Sequence, residues 1–240
     1  MPVPKDQPEQ QPPPVQRLRV RYAKRGRLRF TSHRDFSRAF ERAVFRARIP
    51  MAYSSGFNPH PRISYAGASP TGAASEAEYL ELALAEVVEP ADVHQALDAS
   101  LPPGLDVLAV VVSPGGSLSD LLQASRWRID VDVPREDACR AVEAFLAAPE
   151  VLVERMTKRG MRTFDARAAV THLAVVDDAG AGTSIELVLR HGEPTVRADD
   201  ILAGMTRLGG LEPTGPALMT RIGQGLYDPV SGEVTDPFAS

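Results

Sequence analysis

Apolar side chains in this chain recur at two spacings, and the order in which those spacings alternate limits the folds open to it. Leu18, Val20 and Tyr22 alternate with Arg17, Arg19 and Arg21, and after Lys24-Arg25-Gly26 the alternation resumes with Leu28 and Phe30 against Arg27 and Arg29. A period of two residues predicts a strand with one polycationic face, carrying a bulge or short turn at Gly26. Phe36, Ala39, Phe40, Ala43 and Val44 then recur at helical spacing. Thr31-Ser32 supplies an N-cap with Asp35 three residues on, and Pro50 ends the helix. Strands are expected at 62–65, at 78–85 (Tyr79, Glu81 and Ala83 against Leu80, Leu82 and Leu84) and at 105–112, with a helix over 90–101.

The second half repeats the order with different residues. Strands are expected at 127–133, 151–157, 184–189 and 217–222, and helices at 135–147 and 197–208; residues 162–172 read either way. The order strand-helix-strand-strand-helix-strand is that of a ferredoxin-like unit. The expectation is an α+β protein of two tandem ferredoxin-like (βαββαβ) domains with antiparallel sheets. The basic domain would span 15–113, a linker 114–125, and the second domain 126–227, with a C-terminal tail over 228–240. Residues 1–14 are Pro/Gln-rich and read as a disordered tail. The alternative is one larger α+β domain with an extended sheet.

Charge is unevenly distributed. The 240 residues carry a formal net charge of -4. Residues 15–62 hold 13 Lys/Arg against Asp35 and Glu41, a net +11, whereas residues 63–125 hold nine carboxylates and no Lys or Arg. A basic block of that density is the footprint of a polyanion partner, with a solvated face balancing the acidic neighbour as the plainer reading. Arginine forks bind phosphate oxygens bidentately, so Arg27 and Arg29 are candidate RNA contacts. Tyr53 and Phe57 would offer stacking surfaces for single-stranded bases.

The segment Gly56-Phe57-Asn58-Pro59-His60-Pro61-Arg62 is the second signal. Prolines on both sides of His60 restrict the backbone and present Asn58, His60 and Arg62 from a rigid loop, to bind an anion, move a proton or simply form a structural turn. His33 begins a helix, with Ser32 and Asp35 beside it. His33 and Asp35 would lie about 200° apart around the helix axis, which argues against a shared metal. Glu76 and Glu78 lead into a strand and are expected to pair with the arginine block. Lys158 and Arg167 would extend a groove from the second domain.

No Gly-rich phosphate loop, Gly-x-Ser-x-Gly, His-Glu-x-x-His or dinucleotide fingerprint is present, so no catalytic residue and no metal ligand is assigned. The single Cys139 permits neither an intrachain disulfide nor a cysteine-built metal or iron–sulfur site. No apolar run approaches the ~20 residues of a membrane span, and the first residues lack a signal-peptide pattern, so a cytoplasmic location without membrane contact is expected.

The motifs Leu28-Arg-Phe-Thr-Ser-His-Arg-Asp-Phe-Ser-Arg-Ala-Phe-Glu-Arg-Ala43, Ala52-Tyr-Ser-Ser-Gly-Phe-Asn-Pro-His-Pro-Arg-Ile-Ser-Tyr65 and Ser75-Glu-Ala-Glu-Tyr79 closely resemble the radical SAM-linked proteins. These form a bacterial domain of unknown function, found alone or fused to a radical SAM protein. The resemblance covers about residues 15–227, and a weaker second-half motif matches Lys158, Gly160, Asp165 and Arg167. Arg34 departs from the apolar residue more usual there. The resemblance implies a separate radical SAM partner that carries the iron–sulfur cluster and SAM, with no cofactor in this chain. Relatives neighbouring genes for an RNase E/G-type nuclease and ribosomal proteins imply a connection to RNA.

The function expected is therefore a non-catalytic RNA- or substrate-binding accessory subunit of a radical SAM enzyme, in RNA or ribosome modification or maturation. Two alternatives stand beside it. One is a metal-independent endoribonuclease similar in outline to the CRISPR repeat-processing enzymes, with His33 or His60 as base and Tyr53 as auxiliary acid. The other is a protein–protein adaptor.

Overall fold

The computed structural model describes residues 10–157, 160–176 and 182–239. Most of the Pro/Gln-rich segment expected to be disordered, residues 1–9, and Lys158 among the candidate site residues lie outside the described residues. The chain divides into two compact units: residues 1–71 with 77–119, and residues 72–76 with 120–240. The structure is α+β, with four α-helices among the described residues and a mixed sheet.

In the first unit the elements are β1 (Gln16–Lys24), α1 (His33–Arg46), β2 (Ile63–Ala66), β3 (Ala74–Leu84), α2 (Pro90–Asp98) and β4 (Leu105–Val112). The strands lie in the order β4-β1-β3-β2. β1 and β4 run antiparallel from Leu18 opposite Val112 to Lys24 opposite Leu105, with an irregularity at Arg21/Tyr22. Leu18, Val20 and Tyr22 of β1 and Leu80, Leu82 and Leu84 of β3 join Phe36, Phe40 and Val44 of α1 and Val93 and Leu97 of α2 in one apolar core. Fully burying a side chain such as Phe40 contributes about 2–3 kcal/mol.

Two features of the basic strand differ from expectation. Residues Gly26–Phe30 form a 3-10 turn, and β1 ends at Lys24. Gly26 turns the chain in the left-handed region at φ +55°, and Lys24 already faces the first residue of β4, so no backbone remains for residues 27–30 to pair with. Nor is the arginine face of β1 uniformly open to solvent: Arg17 is exposed, but Arg19 is not. Arg19 is 1% exposed, with Nε 3.3 Å from Glu81 Oε2 and Nη2 donating to the carbonyls of Gly115 (2.6 Å) and Gly116 (3.1 Å). Arg17 reaches Glu81 Oε1 at 2.9 Å, and the Ser113 hydroxyl donates to Oε2 at 2.8 Å. Glu81 lies opposite the leucines of β3, so the alternation that buries Leu80 and Leu82 also aims a carboxylate at the arginines.

The second unit is built from β5 (Ala124–Val131), α3 (Arg135–Ala147), β6 (Leu152–Thr157), β7 (Gly160–Asp165), β8 (Val170–Val176), β9 (Thr183–Arg190), α4 (Ala198–Gly209), β10 (Leu218–Tyr227) and β11 (Val234–Thr235). The ambiguous residues 162–172 resolve into the end of β7, a 3-10 turn and the start of β8. The strand order is β10-β5-β9-β8, with β6 and β7 as a separate hairpin and β11 on β10. The expected purely antiparallel sheet is corrected: Ala74 and Ser75, at the start of β3 and within this unit, pair in parallel with Thr220 and Arg221 of β10. Trp127, Ile129, Phe145, Ile185, Leu187 and Met205 lie in its core. Residues 228–240, expected as a tail, contribute β11, which covers β10 so closely that a Cβ on Gly225 would lie 1.9 Å from the Thr235 carbonyl oxygen. Among the described residues no helix is long and apolar enough to cross a membrane.

Candidate functional site

The site is built on α1 and the segment that follows it. Ser32 caps the helix as its sequence implies: its Oγ accepts the Asp35 N–H at 3.2 Å and lies 2.7 Å from Asp35 Oδ2. Ser32 and Asp35 are thereby committed to the helix start, which a capping interaction of this kind stabilises by about 1 kcal/mol.

His33, the first helical residue, is exposed and turns its ring onto Tyr65 of β2, centroid to centroid 5.0 Å at 78°. Ser37, one turn along, donates its hydroxyl to the His33 carbonyl at 2.9 Å and lies 3.4 Å from His33 Nδ1. Phe36 stacks on Tyr22 at 4.6 Å and meets Tyr65 edge-on at 5.9 Å, so the tyrosine is held by rings on two sides. Its buried hydroxyl makes no hydrogen bond of good geometry among the described residues, with the Ser37 side chain beside it. Burial pushes the Tyr65 phenol up to about 12; nearby Ser37 offsets part of this and the Glu41 charge adds to it.

Residues 51–63 fold into a narrow hairpin-like loop. Tyr53 bridges Pro61, the Ser54 N–H donates to the His60 carbonyl (2.9 Å), and the His60 N–H donates to Ser54 Oγ (3.0 Å). The Arg62 N–H donates to the Ala52 carbonyl at 2.9 Å, anchoring the base of the loop. Gly56 sits at φ +132°, a conformation that L side chains rarely adopt, and lets the tip reverse. Phe57, Asn58, Pro59 and His60 are left in solvent at that tip. Among the described residues no contact joins the His33 and His60 rings; His33 is brought to Tyr65 and Ser37 instead.

Among the described residues of this unit, Phe45 (80%), Phe57 (76%), Phe30 (59%) and Tyr53 (40%) expose their rings. Around them stand Arg27, Arg34, Arg38, Arg42 and Arg48, exposed, and Arg29 and Arg62, half-buried. Arg29 lies over the Phe30 ring at 4.6 Å. None of Arg27, Arg34, Arg38, Arg42, Arg48 or Arg62 has an ion pair among the described residues, in contrast to Arg17, Arg19 and Arg25, which take Glu81 and Asp106. Glu81 thus takes Arg17 and Arg19 of β1 and Asp106 takes Arg25, while Arg27, Arg34, Arg38, Arg42 and Arg48 stay exposed.

Among the remaining candidates, Glu78 and Arg167 hold backbone groups near them. Glu78 is buried and accepts the Ser69 N–H at 3.1 Å, and Glu76 is half-buried. Arg167 directs Nε at the Leu146 carbonyl (3.4 Å) and Nη1 at that of Val170 (3.3 Å), bracing backbone in the second unit.

Sequence reasoning missed Ser37, Glu41, Phe45 and Tyr65. Phe45 carried a usable signal, since it falls outside the apolar stripe of Phe36, Phe40 and Val44, which puts a large ring on the polar side of an amphipathic helix. Tyr65 carried none: only the fold puts β2 beside the start of α1.

A comparison with curated proteins finds no match. Among solved structures, a chain of the one described as "Crystal Structure of a Cbf5-Nop10-Gar1 Complex" overlaps 91% of this chain at 11% identity and a TM-score of 0.46, too slight a likeness to carry an argument. The present chain spans 56% of that chain's length. Residues 17–198, which include the capped helix, the 51–63 loop and the acidic entry to β3, match the family described as "Uncharacterized protein conserved in bacteria (DUF2344)", and the chain belongs to that family.

Proposed function

We propose that this protein is an RNA-binding accessory subunit, without chemistry of its own, that serves a radical SAM enzyme. The observation that carries the RNA half is the surface of α1 and the 51–63 loop, where exposed rings and arginines without ion pairs are interleaved. Arginines bind the backbone phosphates, and rings such as Phe45 and Phe57 stack on unpaired bases; a sequence-tolerant single-strand surface combines both. The radical SAM half rests on the resemblance of the helix-entry and Gly-Phe-Asn-Pro-His-Pro motifs; the cluster and SAM belong to the partner chain. We read each unit as ferredoxin-like, because strand orders β4-β1-β3-β2 and β10-β5-β9-β8 follow one plan when the β6–β7 hairpin is set aside.

Fluorescence anisotropy with labelled single-stranded RNA tests this reading. Binding is expected at 50 mM salt, weakening at least tenfold by 200 mM as counterions are released, and lost when Arg27, Arg29 and Arg62 are replaced by glutamate. Absence of binding at 50 mM salt by folded protein removes the RNA reading, and capture of protein alone after nuclease treatment favours an adaptor. Capture under anaerobic conditions is expected to recover an iron-containing partner. New RNA ends that vanish in His33→Ala or His60→Ala would replace the non-catalytic reading with the ribonuclease one.

A further inference from the structure

Of the two carboxylates in the basic block, Asp35 is committed to the helix cap, and Glu41 has no hydrogen bond or ion pair among the described residues despite the arginines on either side of it. It lines a cleft of about 460 Å³ with Val44, Phe45, Arg48, Ile49, Tyr53 and Pro61, a volume in the range of small-ligand sites. The helix supplies Glu41 and Phe45; the loop supplies Tyr53 and Pro61. Along α1, Glu41 and Phe45 also border a second depression with Arg38, Arg42 and Arg46. One half-buried carboxylate and one exposed ring therefore stand between an aromatic-lined cleft and a row of guanidinium groups.

Arg48 reinforces the pattern. It occupies the left-handed position just past α1 (φ +53°), where its N–H bonds the Phe45 carbonyl at 3.1 Å and the following Ile49 N–H bonds that of Val44 at 3.2 Å. Glycine is the usual residue there, and among the described residues Arg48 is the one non-glycine with positive φ. A cationic side chain thus lines the cleft from a backbone conformation that non-glycine residues rarely adopt.

Resting on the RNA-binding reading, we propose that this cleft takes one unpaired guanine base of the bound RNA. The base stacks against Phe45 and Tyr53, Glu41 accepts from its N1–H and N2–H₂ groups together, and Arg48 meets the adjoining phosphate. Guanine is chosen by its donors: its Watson–Crick edge offers two side by side, which a carboxylate accepts bidentately. Adenine, cytosine and uracil each set an acceptor beside their donor, facing the second carboxylate oxygen.

Anisotropy with short single-stranded RNAs that differ at one position tests the assignment. An oligonucleotide with one guanosine in a poly-uridine context should bind about tenfold more tightly than its adenosine or inosine counterparts, inosine lacking the N2 donor. Glu41→Gln should erase that preference while leaving the thermal midpoint unchanged, and binding to poly-uridine should stay salt-dependent and be no weaker. Phe45→Ala should weaken binding to every oligonucleotide by roughly tenfold. RNA binding with no guanosine preference, or a preference that survives Glu41→Gln, overturns the pocket and leaves the accessory-subunit reading intact. Loss of all RNA binding at low salt overturns both.

Discussion

The His33 imidazole meets the Tyr65 ring edge-on, centroids 5.0 Å apart and planes inclined by 78°, so the entry of α1 is tied to β2 by a ring contact. The Tyr65 hydroxyl is buried, with Ser37 beside it but no hydrogen bond of good geometry among the described residues. Tyr65→Phe should therefore stabilise the protein by up to about 1 kcal/mol in urea unfolding, since it deletes a desolvated donor and keeps the ring. In the intact protein the phenol ionises near pH 12 rather than 10. The unfolded chain releases that proton first, so this group leaves stability independent of pH below 10 and lowers it as pH rises from 10 to 12. An ultraviolet titration of wild type against Tyr65→Phe checks the assignment.

Arg19 has almost no access to water, and Glu81 is its counter-charge. Glu81→Ala should cost about 3 kcal/mol in denaturant unfolding, because it strands a buried guanidinium. Replacing both Arg19 and Glu81 by Met should cost less than the single change. Burial pushes the Glu81 carboxyl up, but the Ser113 hydroxyl, Arg17 and Arg19 outweigh it and hold the group below its usual 4.5. Its contribution is present above pH 4.5 and is lost as pH falls through the depressed value; wild-type melting points across that range should fall more steeply than those of Glu81→Gln.

His191 is a second pH-sensitive point. Its Nδ1 lies 2.7 Å from the Leu122 carbonyl, so that nitrogen carries the hydrogen, and Nε2 lies 3.0 Å from Ser125 Oγ, which takes the Trp127 indole N–H at 2.8 Å. Burial lowers its pKa below 6.5; the Leu122 carbonyl opposes this and the Arg221 charge adds to it. The unfolded histidine binds its proton first, so stability is full above pH 6.5 and declines as pH drops below it. His191→Gln should flatten the thermal midpoint against pH between 5 and 7 without moving RNA affinity.

Helices α3 and α4 touch through a glycine. A Cβ on Gly209 would lie 2.3 Å from the Ala141 Cα, with backbone rather than a flexible side chain in the way. Gly209→Ala should cost about 2–3 kcal/mol, read as a fall in the urea midpoint.

Local chemistry was legible in the sequence where it is self-contained. Ser32 and Asp35 bond only to each other and their own backbone, and α3 and β4 begin and end where their patterns do. Partners were not legible. Residues 27–30 alternate like a strand, yet a strand needs a neighbour and β4 starts too late to give one. The arginines of β1 share a face as their spacing implies, but spacing does not say that Glu81 covers it. The candidate site divides likewise: the exposed loop tip follows from its prolines and glycine, whereas Tyr65 joins the site only because β2 returns past α1, and Glu41 only because the 51–63 loop folds back against the helix.

The entry to β3 bears on how such a chain can be inherited. Ala74 and Ser75 belong to the second compact unit, where they pair with β10 and Ser75 Oγ lies 3.3 Å from Nε of the buried Arg221, yet they sit in the sequence between two stretches of the first. No single break divides the gene into two self-sufficient halves: a cut after residue 119 takes from the second half a strand segment that it uses. A truncation made at residue 119 is therefore expected to leave bare the part of β10 that Ala74 and Ser75 cover.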